Sequence, residues 1–238
     1  MEDSSFGRLV GALAAPVKTF ESIRQRPTWL VPLLTLVVLA VTVSLAANPK
    51  VDWEDVITTQ MEKSGQEVSD SQVEGIVQFY EKWGAAVSVG STVIGYPIAF
   101  LVFAGAFFVA FKVLGSDLTY PASLSTVLYA FTPFALSLVL SLPIVLLANE
   151  IGYEQVKSGS FLASNLGTFA PADASPVMAA MLSSIDVFSI WVVALLAVGF
   201  SIVARVSRAQ AAVVALAFWG VWIAIKVGFA ALSGLMGG

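Results

Sequence analysis

The chain of 238 residues is 58% hydrophobic and only 12% charged, and its mean hydropathy is +0.87. This composition excludes an ordinary soluble fold and predicts a polytopic membrane protein of the all-α class. The absence of Cys and His excludes disulfides, thiolate or imidazole metal sites, and Cys/His or Ser/His catalytic pairs. The net charge of −4 argues against binding to nucleic acid.

Sequence motifs for chemistry on bound cofactors are also missing. The chain contains no Walker loop, no dinucleotide-binding fingerprint and no HExxH metal motif. Its carboxylates have no diagnostic spacing. We therefore expect a non-enzymatic protein with no catalytic residue, no cofactor and no metal.

Residues 1–28 are predicted to form a cytoplasmic amphipathic segment. Apolar residues recur there every three or four positions from Phe6 to Ile23, and Pro16 is suited to start a second short helix. This pattern predicts a helix on the surface of the cytoplasmic leaflet, and docking of a partner on this face is the alternative. The cations assigned to lipid headgroups are Arg8, Lys18, Arg24 and Arg26.

Five stretches are long and apolar enough to cross the bilayer, which takes about 20 residues per helix. They cover about residues 29–47, 84–114, 122–148, 177–204 and 209–235. Residues 29–238 are therefore predicted to form one five-span domain. Because the first span follows a polar segment and lacks a small-residue cleavage site, we expect it to be a retained helix.

The basic residues set the predicted orientation. All five arginines precede the first span or lie between the fourth and fifth spans. Cytoplasmic loops retain Lys and Arg, so we expect a cytoplasmic N-terminus and an extracytoplasmic C-terminus. The opposite side collects most of the acidic residues.

Two extracytoplasmic segments connect the spans. Residues 48–83 are predicted to form two short helices that cap the outer membrane face, the first ending at Gly65 and the second running on into span two. Ser71 and Glu74 have the spacing of a capping box at the start of the second helix. The acidic residues of this segment are expected to be solvated in a loop, and the alternative is that they attract cations or a basic partner. Residues 149–176 are predicted to be a structured loop.

Two ionisable residues fall inside predicted spans. Asp186 lies in span four and Lys226 in span five, and each is 20 residues from Val206 in the connecting turn. In an antiparallel hairpin this places them at the same depth, roughly 30 Å from the turn. We predict an ion pair between them, which is either a structural clamp or part of a transport path.

Small residues and prolines mark the spans further. Small residues recur at four-residue spacing in two ridges that would let helices approach closely. The ridges are Ser91, Gly95 and Ala99, and Gly220, Ala224 and Gly228. Pro97, Pro133 and Pro143 interrupt spans two and three, where hydroxyls such as those of Thr132 and Ser141 can satisfy freed carbonyls. Kinked spans two and three, together with the Asp186/Lys226 pair, define the alternative function of a small-solute or ion transporter or channel.

Two motifs resemble those of bacterial Yip1-domain proteins. The first is Pro16-x-x-x-Phe20-x-x-Ile23 followed by Trp29, and the second is the run Leu182 to Trp191, which includes Asp186 and Phe188 and continues to Gly199. Asn165-Leu166-Gly167 fits less distinctively. The motif residues are Pro16, Phe20, Ile23, Trp29, Asp186, Phe188, Trp191 and Gly199.

The resemblance implies a five-span domain with a cytoplasmic N-terminus, in agreement with the topology above, in a bacterial inner membrane. Eukaryotic members act in vesicle trafficking, bind Rab-type GTPases and associate in membrane complexes. This chain lacks their long N-terminal region, and residues 117–121 echo their Asp-Leu-Tyr-Gly-Pro-type motif only loosely. Rab binding is therefore not carried over. We expect a membrane-organising or complex-forming scaffold whose partners are the lipid bilayer and a second copy of the chain or other membrane proteins.

Overall fold

The computed structural model describes residues 4–63, 65, 69–158, 161–171 and 174–236. Parts of the predicted external segments and the end of the predicted domain, at residues 64, 66–68, 159–160, 172–173 and 237–238, lie outside the described residues. Within the described ranges the chain is helical, and β-pairing is limited to isolated bridges. The predicted all-α class is confirmed.

The helices follow one another with short connections. In chain order they are α1 (Ser5–Ala14), α2 (Pro16–Gln25), α3 (Leu30–Ala47), α4 (Trp53–Lys63), α5 (Asp70–Val113), α6 (Tyr120–Ala130), α7 (Thr132–Leu147), α8 (Tyr153–Ser158), α9 (Pro176–Ser184), α10 (Val187–Val203) and α11 (Arg208–Met236). Turns of 3₁₀ helix cover Asn48–Lys50 and Leu166–Phe169. Among the described residues, four stretches are long and apolar enough to cross a membrane: Leu30–Lys50, Asp70–Val113, Tyr120–Leu147 and Arg208–Leu232.

Helix α5 joins the second helix of the external segment to span two, as predicted, in one helix of 44 residues. It begins at Asp70, and the amide of Ser69 donates to Gln72 Oε1 at 3.1 Å. Ser69 and Gln72 therefore supply one of the two hydrogen bonds of a capping box, from the side chain of the third helical residue to the N-cap amide. The box predicted for Ser71 and Glu74 is wrong because the helix starts two residues earlier than the spacing suggested.

The predicted third span is interrupted at Phe131, between α6 and α7. Pro133 has no amide hydrogen to donate to the carbonyl of Tyr129, four residues earlier. The Thr132 hydroxyl donates to that carbonyl at 2.6 Å, as the sequence predicted. The kink therefore leaves this backbone acceptor satisfied inside the apolar helix.

The predicted fourth span is not one continuous helix. It is divided into α9 and α10, which are separated by Ile185 and Asp186. Helix α10 has 17 residues, fewer than the roughly 20 that cross a bilayer unaided. The prediction of an unbroken fourth span is therefore wrong, and the charged residue of that span lies at the break.

The chain divides into two compact units. Unit 1 comprises Met1–Leu39, Val93–Ser137 and Val187–Trp222, and its core lies where α2, α6 and α10 pack together. Aromatic rings dominate this core. Phe107 stacks on Phe200 with ring centroids 4.8 Å apart, and both side chains are fully buried.

Unit 2 comprises Ala40–Thr92, Leu138–Asp186 and Ile223–Gly238. Its apolar core is small, and polar contacts hold the connecting segments. The amide of Tyr153 donates to Asp55 Oδ2 at 2.9 Å, which fixes α8 against α4. Helix α8 was not predicted, because its six residues are too few to show a helical period.

Candidate functional site

The break between α9 and α10 is the first element of the candidate site. The amide of Leu166 donates to the carbonyl of Ile185 at 3.1 Å, and Asn165 forms an isolated antiparallel bridge with Asp186. The segment before α9 therefore returns to pair with the break. This pairing satisfies a carbonyl that the interrupted helix leaves free.

The side chain of Asp186 is held by the same segment. Its carboxylate accepts a hydrogen bond from the hydroxyl of Ser164, one residue before Asn165. A hydrogen bond to an ionised acceptor is stronger than one between neutral groups. The backbone and the side chain of Asp186 are thus both held by the Ser164–Asn165 segment.

Gly167 allows this segment to approach α9 closely. A Cβ atom at this position would lie 3.0 Å from Ser183 Cβ and 2.8 Å from Asn165 Oδ1. The contact with Ser183 would be tighter than nine in ten real Cβ contacts, and the contact with Asn165 would be shorter than real Cβ atoms make, so glycine fits here best. The Asn165-Leu166-Gly167 triplet therefore has a geometric role in docking the loop onto the end of α9.

Lys226 on α11 contacts the same end of α9. Its Nζ atom donates to Ser183 Oγ at 3.2 Å, and Ser183 lies three residues before Asp186. We call Ser164, Asn165, Gly167, Ser183, Asp186 and Lys226 the junction. The structure brings both predicted intramembrane charges to this junction and gives each a serine partner. The direct ion pair between Asp186 and Lys226 stays a prediction.

Hydrogen bonds link the residues of the junction to one another and to α9. The Ser183 hydroxyl donates to the carbonyl of Ala180 at 3.2 Å, so its proton is directed away from Lys226. Ser183 therefore connects Lys226 to the backbone of α9. Among the described residues, no group of three or more His, Cys, Asp or Glu side chains could hold a metal ion.

A second group of motif residues meets in unit 1. A Cβ atom at Gly199 on α10 would lie 2.8 Å from Phe20 Cε1 and 2.8 Å from Thr126 Cγ2. Gly199 therefore lets both α2 and α6 approach α10. Phe20 and Ile23 are fully buried on the inner face of α2, and Pro16 occupies its first position, where a missing amide hydrogen has no cost.

Comparison with known proteins identifies the family of the chain. The family model for the Yip1 domain matches residues 10–230. The chain belongs to the Yip1 domain family. It is similar to the membrane protein YknW of Bacillus subtilis (strain 168), with 25% identity over 228 residues that cover 96% of this chain and 90% of YknW. No solved structure matches significantly.

The residues predicted to carry the family motif divide between two places in the fold. Phe20, Ile23 and Gly199 pack α2 onto α10, and Trp191 packs against the same core. Asp186 belongs to the junction. Phe188 is half-buried on the first turn of α10, and Trp29, with 42% of its surface exposed, joins neither group.

The assignment of Arg8 to lipid headgroups is wrong. Only 4% of Arg8 is exposed, and its Nη1 atom donates to the carbonyl of Arg26 at 2.8 Å and to Thr28 Oγ1 at 3.1 Å. The Tyr129 hydroxyl lies 3.1 Å from Thr28 Oγ1 and donates to the carbonyl of Ser5. This buried network ties α1 to the end of α2 and to α6.

The other three cations differ from Arg8. Lys18, Arg24 and Arg26 are exposed, and their contact with headgroups stays a prediction. The apolar residues of α1 and α2 do not all face the same environment. Leu9, Phe20 and Ile23 face the protein core. The outward residues are Phe6, Val10 and Val17.

Sequence reasoning missed the polar partners in both places. Tyr129 carried a usable signal, because a phenol inside an apolar span needs a hydrogen-bond partner. Ser164 and Ser183 carried none, since serine is common in loops and at helix ends. Their roles depend on which segment returns to the broken helix, and only the fold reveals that.

Proposed function

We propose that this Yip1-domain protein is a membrane-organising, complex-forming scaffold of the bacterial inner membrane that works without catalysis. Helices α9 and α10 together make the fourth of five crossings, with the N-terminus in the cytoplasm and the C-terminus outside. Helix α4 and the start of α5 form the extracytoplasmic cap. The distribution of the arginines supports this orientation.

The observation that carries the proposal is the position of the small-residue ridges. The ridge on α11, Gly220, Ala224 and Gly228, is exposed along its whole length. Apart from the helix's own backbone, no described atom lies within 4 Å of a Cβ built at Gly220 or Gly228. Small residues in a membrane helix allow another helix to pack closely. Among the described residues, none packs against the two glycines of the α11 ridge.

Helix α11 as a whole makes few contacts within its own chain. Only 6% of its apolar 18-residue window is buried, against 33% for the Tyr120–Leu147 stretch. A helix this exposed faces lipid or another protein. Because glycines offer little surface to lipid and a close approach to a helix, the ridge favours a protein partner. The ridge on α5, at Ser91, Gly95 and Ala99, is exposed in the same way.

The N-terminal helices offer the scaffold a cytoplasmic face. Phe6 and Val10 are each 68% exposed on α1, and the exposed cations Lys18 and Arg24 lie on α2. An apolar and basic surface of this kind binds the interface of a bilayer with anionic lipids. The buried Arg8 network keeps these helices attached to unit 1.

Transport is the rival function. In a transporter, Asp186 and Lys226 would have to release their hydrogen-bond partners Ser164 and Ser183 and bind a solute instead. In this structure both charged side chains hold the segments at the break in place. If an Asp186→Asn variant folds normally but loses the flux of a solute, the protein is a transporter and the scaffold proposal is wrong.

Affinity isolation from native membranes tests the scaffold. We expect the tagged protein to co-isolate a defined set of membrane proteins or a second copy, and the Gly220→Leu/Gly228→Leu variant to lose them while still folding. Gly90→Leu on α5 is the matched control, because a Cβ there also meets nothing within 4 Å and lies outside both ridges. An identical set of partners for wild type and ridge variant would refute the proposal.

A further inference from the structure

A cleft of about 240 Å³ opens in unit 1 between three segments of the chain. Arg24 contributes from the end of α2, and Arg205 from the turn between α10 and α11. The third segment is the turn between α5 and α6, with Asp117, Leu118 and Thr119. The volume is smaller than the roughly 300–1,000 Å³ of sites for drug-sized ligands and suits a small polar group.

The cleft is surrounded by the ends of apolar helices. Each of its three segments adjoins the end of an apolar helix: α2 precedes α3, the α5–α6 turn follows Val113, and the last turn precedes Arg208. Residues at the ends of membrane-crossing helices sit in the interface between hydrocarbon and water. A ligand in this cleft can therefore be the polar end of a membrane lipid.

The walls of the cleft are fixed by buried contacts. The Ser116 hydroxyl donates to the carbonyl of Ala204 at 2.7 Å and accepts from the amide of Leu118 at 3.1 Å. Ser116 and Leu118 are both buried. Arg205 has a positive φ of 55°, a conformation in which a non-glycine residue needs support from its surroundings. The cleft is thus part of the packed structure.

Three charged side chains around the cleft are free to bind a ligand. Arg24, Arg205 and Asp117 are all exposed. In the described part of the chain, none of these side chains has a hydrogen-bond or salt-bridge partner. Two cations and one carboxylate therefore line one cleft without neutralising one another.

We propose that this cleft binds a phosphoethanolamine group, with Arg24 and Arg205 on the phosphate and Asp117 on the ammonium. Guanidinium groups recognise phosphate oxygens through charge-assisted hydrogen bonds. The first turn of α6 adds unpaired amides, since Thr119 at its N-cap makes no side-chain capping bond. Asp117 would repel a purely anionic ligand, whereas it attracts the amine of a zwitterionic one.

Phosphoethanolamine can come from the headgroup of phosphatidylethanolamine or from a soluble metabolite. The position of the cleft favours the lipid, and the two sources are separated by experiment. This inference requires only that the chain spans a membrane. Its failure would leave the scaffold proposal untouched, because the ridges on α5 and α11 do not line the cleft.

Native mass spectrometry of the delipidated, detergent-solubilised full chain tests the site. The protein is titrated separately with phosphatidylethanolamine, phosphatidylglycerol and phosphatidylcholine, and with soluble phosphoethanolamine. We expect tightest binding of phosphatidylethanolamine. Arg24→Gln and Arg205→Asn should each weaken it by about three- to tenfold. Asn is chosen at position 205 because it tolerates a positive φ.

Matched controls come from the same elements. Lys18→Gln on α2 and Arg208→Gln at the start of α11 remove exposed cations that do not line the cleft, and should leave binding unchanged. Asp117→Asn should reduce the preference for phosphatidylethanolamine over phosphatidylglycerol. Unchanged thermal melting shows that each variant is folded.

Three outcomes would overturn the proposal. The first is an equal loss of binding in the control variants, which would indicate general charge attraction. The second is an unchanged headgroup preference in Asp117→Asn. The third is tight binding of soluble phosphoethanolamine with no preference among lipids, which would move the ligand from the bilayer to the cytosol.

Discussion

The two units of this protein differ in the kind of contact that stabilises each one internally. In unit 1, four phenylalanine rings pack together with centroids 4.5–6.4 Å apart: Phe107, Phe111, Phe200 and Phe218. In unit 2, hydrogen bonds from polar groups hold helix ends and connecting segments in place. Lys50 Nζ donates to two carbonyls at the end of α7, each at 2.7 Å.

The difference follows from the backbone structure of each unit. Helices in lipid gain little from the hydrophobic effect, so close packing of rings and glycine contacts must stabilise unit 1. Unit 2 contains the interrupted helix and the longer connections, whose free carbonyls and amides need partners. We therefore expect unit 1 to be sensitive to the volume of side chains and unit 2 to the loss of single polar groups.

The largest effect should come from emptying the ring cluster. Phe107→Ala removes a fully buried ring that contacts Phe111, Phe200 and Phe218. We expect a loss of about 3–5 kcal/mol in the free energy of unfolding, measured by denaturation in detergent. Phe79→Ala, whose ring is 50% exposed, is the control and should change stability little.

Filling the glycine contact should come next. In Gly199→Leu the side chain would collide with Phe20 and Thr126, which are fully buried on α2 and α6. We expect a loss of about 1–3 kcal/mol or more from overpacking. Gly220→Leu is the matched substitution on α11 and should leave the melting temperature of the isolated chain unchanged. Equal losses for both would show that the Phe20 contact is not specific.

In unit 2, the junction tests the coupling of two charges. Lys226→Met and Asp186→Asn should each cost about 1–3 kcal/mol, because each leaves a polar partner behind. Lys226→Met should destabilise the protein less when Asp186 is already Asn, since the carboxylate is then no longer unbalanced. Simple addition of the two losses in the double-mutant cycle would rule out the predicted ion pair.

The smallest losses of stability are expected for two lysines of unit 2. Lys50→Met removes two hydrogen bonds to the end of α7 and should cost about 1 kcal/mol. Lys63→Met breaks a salt bridge with Glu154 whose side chains are 49% and 74% exposed, and should cost at most about 0.5 kcal/mol. Thermal melting at low and high salt separates them, because only the exposed pair is screened.

The sequence predicted the parts of the fold that follow from apolar length and spacing. Three predictions are confirmed: the all-α class, the continuous helix that joins residues 70–83 to span two, and the carbonyl satisfied by Thr132. The break at Ile185–Asp186 was missed because a hydropathy window averages over one polar residue. Only the return of residues 164–166 to the break supplies the partners that make it stable.

The candidate site was predicted in part for the same reason. Asp186 and Lys226 were found because a charge in an apolar span stands out from its neighbours. Ser164 and Ser183 were not found, since their roles depend on contacts between distant segments. Arg8 was assigned by its place in an amphipathic pattern. A pattern of this kind does not distinguish a face toward lipid from a face toward α6.

The central claim is that the open ridge of α11 contacts another protein. A photo-crosslinking amino acid placed at Ala224 in intact cells tests it most directly, with Trp222 as the control. Both positions are exposed, and they point to opposite faces of one helix. The scaffold predicts covalent protein adducts from position 224 and not from position 222. Adducts to lipid alone from both positions would contradict it.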